Sequence, residues 1–136
     1  MEIAVALLAD YANVSQEGKL NVLGIFTQLN AQSFPCVHPQ LQLIIMWQAP
    51  RTESGRKKDM EIRLDDADGK KLFSINAQFL VPDGKPGRLV SGNHIIGLNG
   101  IRFDRPGAYE FNILIGGEQK ASAPFEVVQI PPTKQG

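Results

Sequence analysis

The chain has a single cysteine, Cys36, among its 136 residues. One thiol closes no internal bridge, so the fold is not stapled, and the sequence fits a reducing, cytoplasmic compartment better than secretion. Net charge is also missing. Fourteen basic side chains balance fourteen acidic ones, leaving no long-range attraction toward a polyphosphate or an anionic lipid surface. Nothing approaches the run of about 20 apolar residues that crosses a bilayer as a helix. Ile3 to Leu8 is apolar, but Glu2 precedes it, no Lys or Arg stands in front, and Asp10 interrupts it early. That pattern argues against a signal peptide. Aromatic residues are few, with one Trp, two Tyr and seven Phe. Most of them are needed in a core, which thins the supply for a sugar-stacking or lipid-binding surface. No segment of about ten residues carries an amphipathic helix stripe.

What is present is an alternation of apolar and polar residues, cut by turn signals about every 8 to 12 residues. The turns fall at Glu17-Gly18, Pro35, Pro39, Pro50 to Gly55, Asp68-Gly69, Asp83-Gly84, Pro86-Gly87, Pro106-Gly107 and Gly116-Gly117. In Leu41, Leu43, Ile45 and Trp47 one face of a strand is apolar; Ile44 and Met46 cover the middle of the other. A two-residue turn at Asp68-Gly69 sets Leu64 against Phe73, Ile62 against Ile75 and Met60 against Ala77. All three pairs are apolar, and a slip of one residue would put Phe73 opposite a charge, so this register is well specified. In the last hairpin, a two-residue turn at Gly116-Gly117 would pair apolar with polar positions, so a bulge or an odd-length loop is expected. Residues 88 to 98 are mixed on both faces and read as an edge or irregular strand. The expectation is an all-β, single-domain antiparallel sandwich of about eight or nine strands over residues 1–130, with a frayed tail at 131–136.

Pro106-Gly107 followed by Tyr109 is similar to the tyrosine corner of immunoglobulin-like and fibronectin-like sandwiches. Phe111 then stands where an antibody domain has its second cysteine. C2-like and jelly-roll sandwiches remain as alternatives.

Three kinds of chemistry can be weighed. For calcium, Asp65, Asp66, Asp68, Asp83 and Asp104 could gather at loop tips. An EF-hand register on Gly69 fails, however, because it would place Leu64 and Ile75 where carboxylates are required. Turn chemistry accounts for Asp68 and Asp83, which each precede glycine. For zinc or a thiol nucleophile, Cys36, His38 and His94 are too few for a four-ligand site and form no oriented dyad. For phosphate, no glycine-rich loop motif occurs. The basic stretch 51–58, with Arg51, Arg56, Lys57 and Lys58 around Glu53, has no interleaved aromatics and reads as a solvated connection. No catalytic set, metal or cofactor is therefore assigned. Asp10 and Tyr11, set in an apolar opening, are better explained as the bend of a strand than as a reaction centre. A functional reading would have Asp10 face His94 or Arg102 across the sheets. The residues kept as functional candidates are Asp10, Tyr11, His94, Arg102 and Asp104.

Ala9 to Ala12 (Ala-Asp-Tyr-Ala), Gly18 to Leu20 (Gly-Lys-Leu) and the apolar run Val22 to Phe26 resemble the N-terminal signature of a family of uncharacterised bacterial proteins. The resemblance implies a small all-β protein and supplies no catalytic residues. Before residue 51 the formal charges are confined to Glu2, Asp10, Glu17 and Lys19, so the first third reads as core or as a surface that a partner covers. The favoured function is a non-catalytic interaction or assembly module, with a protein partner or self-association and with neither nucleic acid nor membrane as partner. A sugar-binding or lipid-binding domain comes second, and an enzyme last.

Overall fold

In the computed structural model, residues 1–132 are described. The expected tail lies mostly outside them, since 133–136 are not described. The chain forms nine strands: β1 (Glu2–Val14), β2 (Leu20–Phe26), β3 (Gln28–Ala31), β4 (Cys36–Ala49), β5 (Lys57–Asp66), β6 (Lys71–Leu80), β7 (Val90–Phe103), β8 (Gly107–Ile115) and β9 (Glu118–Gln129), with one 3-10 turn at Arg51–Glu53. They make a four-stranded sheet in the order β2-β1-β4-β7 and a five-stranded sheet in the order β3-β9-β8-β5-β6. The pairing is antiparallel except between β3 and β9, which run parallel. That exception arises because the chain leaves β2 at one sheet's edge and crosses through Thr27 to the other sheet's edge, stitching one side of the sandwich.

Alternation explains the core. Leu8, Leu41, Leu43 and Ile45 of the first sheet pack against Met60, Ile62, Leu64, Phe111, Ile113 and Phe125 of the second. Each such side chain contributes about 1.5–3 kcal/mol when taken from water. Phe111 is fully buried and stacks on Phe125 at 5.6 Å between ring centroids. The Tyr109 hydroxyl donates to the carbonyl of Arg105 at 2.6 Å, the bond that a tyrosine corner requires.

The β5–β6 register is the expected one, with Leu64 opposite Phe73, Ile62 opposite Ile75 and Met60 opposite Ala77. The turn that makes it differs. Asp66 N–H donates to the Lys70 carbonyl, so the loop holds three residues, 67–69, and a bulge at Leu72 restores the pairing. The β8–β9 hairpin carries its anticipated bulge, between Ile113 and Leu114. β7 is an edge strand, as the mixed pattern of 88–98 suggested.

Two bends cross the four-stranded sheet. Asp10 of β1 lies opposite Gly24 of β2, and Pro39 of β4 opposite Gly100 of β7; both glycines have positive φ, 70° and 66°. Pairing resumes in the same register beyond each, yet the faces exchange. Leu8 belongs to the main core, whereas Ala12 joins Ala9 and Ile44 in a small cluster. Leu98 and Ile101, of opposite parity, both reach the main core. A left-handed residue turns the strand over without changing its length.

Candidate functional site

The five candidates fall in two regions of the four-stranded sheet. Asp10 and Tyr11 sit at the bend of β1, where its pairing with β4 has ended at Ala9. The Asp10 carboxylate lies over the Cα of Gly24, so closely that a Cβ there would clash with Oδ2. Tyr11 faces Leu23 and is half exposed. His94, Arg102 and Asp104 lie on or just beyond β7. The facing of Asp10 toward His94 or Arg102 across the sheets is not made: β1 and β7 belong to the same sheet, with β4 between them.

β7 and β6 are the free edges on the unstitched side of the sandwich. Half of that seam is filled by aromatic rings. The Trp47 indole N–H donates to His94 Nε2 at 3.0 Å, and the Phe79 ring meets the imidazole edge-on at 4.7 Å. An indole nitrogen only donates, so His94 Nε2 must be the acceptor and the imidazole is neutral. Burial holds its pKa below the ordinary value. The other half of the seam opens as a cleft of about 480 Å³, with Leu72, Phe73, Leu98 and Ile101 as its apolar lining and Arg102 and Asp104 at its rim. The β6 bulge at Leu72 and the bend at Gly100 face this space. Arg102 Nε donates to Asp104 Oδ1 at 2.8 Å, and both side chains are exposed.

The remaining nominees are distributed. Asp65 accepts from Asn112 Nδ2; Asp66 Oδ1 accepts the backbone N–H groups of Asp68 and Lys70; Asp68 pairs with Arg105 at 3.0 Å. The bond from the Lys70 backbone N–H leads the causes that lower the Asp66 pKa. Among the described residues, no three His, Cys, Asp or Glu side chains gather as a metal site. Cys36 and His38 are opposite Phe103 and Ile101 in the β4–β7 ladder, while His94 is opposite Ile45. Seven rungs of ladder, about 20 Å, separate His38 from that level. Within the basic stretch, Glu53 accepts from Lys58 Nζ and from the Met1 α-ammonium at 2.9 Å. Its pKa is lowered to about 2, first by the Lys58 bond and then by the α-ammonium.

The exposed apolar side chains of the first third were not foreseen in detail: Tyr11, Val14, Leu23 and Ile25 on the β1–β2 hairpin and Val37 on β4, with Leu23 and Ile25 66% and 60% accessible. Five of the eight large apolar residues exposed among those described thus lie within residues 11–37. The lack of charge in the first third was the signal; which side chains would turn outward depends on the bend at Gly24.

The molecule is thus a two-sheet all-β sandwich with an apolar edge hairpin on one side and an open seam on the other. The chain belongs to the family of unknown function DUF6941, whose model matches residues 4–128. No curated protein matches it. Among solved structures it is similar to Pseudomonas fluorescens alkylpurine DNA glycosylase AlkC bound to DNA containing an abasic site analog, at 16% identity and a TM-score of 0.48. The match covers 75% of this chain and 27% of that one, so this chain spans about a quarter of its length. The exclusion of nucleic acid as a partner is withdrawn: that neighbour is bound to DNA, although a likeness at this level shows nothing of what this chain binds. The exclusion rested on a net charge of zero, a sum over the whole molecule, whereas phosphate contacts are made by local groups. No helix among the described residues is long and apolar enough to cross a membrane.

Proposed function

We propose that this protein is a non-catalytic assembly module whose β1–β2 hairpin is a protein-contact surface. The observation that carries the reading is β2 itself: a sheet edge with neither charge nor proline, presenting Leu23 and Ile25 to water. Edge strands of this kind are normally blunted by lysine, proline or a covering element. Asp10 and Tyr11 belong to this surface, Asp10 by shaping the bend and Tyr11 by extending the apolar area onto β1.

The same reading takes residues 1–130 as one immunoglobulin-like domain, a cytoplasmic address and a bacterial source. Support comes from the Tyr109 corner bond, from the lone Cys36 and from the resemblance of Ala9–Ala12 and Gly18–Leu20, in that order. A second reading, a small amphipathic ligand in the seam cleft, is favoured by the apolar lining beneath Arg102 and Asp104, with His94 farther along the seam.

The test places a photo-reactive residue at position 23, with position 89, equally exposed on the β6–β7 connection, as control. Illumination in the source cell should give discrete protein adducts from position 23 and not from 89. Absence of any protein adduct at 23 would discard the contact-surface reading.

A further inference from the structure

We infer that the partner at this surface is a second copy of the chain, joined edge to edge through β2, so that two four-stranded sheets become one continuous sheet. The inference rests on the contact-surface reading and names its occupant.

Three observations select a copy. First, β2 lies at the end of the order β2-β1-β4-β7, so its outer backbone N–H and C=O groups have no strand beside them among the described residues. Two such edges related by a two-fold axis pair antiparallel and satisfy each other. Second, Leu20–Phe26 contains no charged residue, so the strand meets its own copy without like charges in register. The charges at the hairpin turn, Glu17 and Lys19, are paired with each other at 3.4 Å. Third, the molecule's charge sums to zero, which leaves no long-range repulsion between copies.

The other edges match a copy less well. β3 has only four residues and is joined directly to β2. β6 opens with Lys71 and carries a bulge, and β7 bends at Gly100 and carries Arg102. At β2 the pairing with β1 keeps its register on both sides of Gly24, so both stretches of the strand offer their outer groups. Exposed Leu23 and Ile25 then supply the apolar contact across the junction.

Sedimentation equilibrium of the purified chain tests this directly. A dimer is expected, and Leu23→Lys or Ile25→Lys should raise its dissociation constant about tenfold or more by setting lysines against each other near the axis. Far-ultraviolet dichroism should hold, because both side chains are in water in the isolated chain, and any fall in thermal midpoint should be confined to concentrations at which the wild-type chain is dimeric. Leu89→Lys, remote from β2, should leave the dimer intact. A wild-type chain that stays monomeric at high micromolar concentration overturns the second copy, and so does a dimer indifferent to both β2 lysines. If position 23 still yields adducts with other proteins in the cell, the contact surface survives and only its occupant changes; if it yields none, both readings go.

Discussion

Glu53 and His94 are each held in an ionisation state by their surroundings, and each sets an acid limit on the fold. His94 is neutral in the fold because burial and its acceptor role toward Trp47 disfavour the proton. Its folded pKa lies below the ordinary 6.5, so the unfolded chain binds the proton first. Stability is full above that value and is lost as the pH falls from there through the folded value. Trp47 fluorescence and the thermal midpoint should both drop in this window. His94→Gln, which keeps an acceptor but does not titrate, should flatten the drop; an unchanged pH profile would show that His94 is not its source. Glu53 is instead held charged. It is stabilising above its ordinary 4.5 and loses that contribution as the pH falls toward about 2. Glu53→Gln should cost about 1–3 kcal/mol near neutrality through the lost charged bonds to Lys58 and the α-ammonium. In denaturant titrations this difference should vanish at the acid end. Asn112, the one polar side chain fully buried among the described residues, joins Asp65, Glu110 and Gln119 in a hydrogen-bonded group. Asn112→Leu should destabilise by about 1–3 kcal/mol, since it takes a hydrogen-bond donor from the half-buried Asp65 carboxylate.

At the scale of elements, the β1–β2 hairpin shows how a residue that looked chemical is architectural. Asp10 needs Gly24 beneath it, and Gly24 needs freedom from a side chain for two reasons: its φ of 70° and its contact with the Asp10 carboxylate. Gly24→Ala should cost more than about 1 kcal/mol. Adding Asp10→Ala should recover the steric part and leave the backbone part, so a double-mutant cycle by urea unfolding should show coupling between the two. Additive losses would mean that the two sites do not touch. The bend was legible in the sequence only as an oddity, a charge inside an apolar run, because the glycine that explains it is fourteen residues away and meets it through pairing. The β5–β6 register was legible for a stronger reason. Its three apolar pairs dictate the ladder whatever the turn does, so a three-residue loop and the Leu72 bulge offset each other and the pairing stands. Because that bulge depends on loop conformation rather than on side-chain alternation, the seam cleft it helps to open had no signature in the pattern. Asp104 was named as a loop carboxylate and Arg102 as a partner for Asp10; their mutual bond and place on the rim came from the fold.

For the whole molecule, the two sides of the sandwich differ in what closes them. The chain stitches β2 to β3 on one side; rings from Trp47, Phe79 and His94 close half of the other, with a cleft beyond. Central strands β4, β5 and β8 have a neighbour on each side and carry most of the buried core, so their amides should exchange with solvent only through global unfolding. Edge strands should exchange by local opening. If the second copy sits on β2, its outward amides become an exception: their protection should rise with protein concentration, and that of β6 and β7 should not. A concentration-independent pattern at every edge would return β2 to the ordinary behaviour of an uncovered strand. Protection gained along β7 instead would move the contact to the seam, where Arg102, Asp104 and the bend at Gly100 would have to accommodate it.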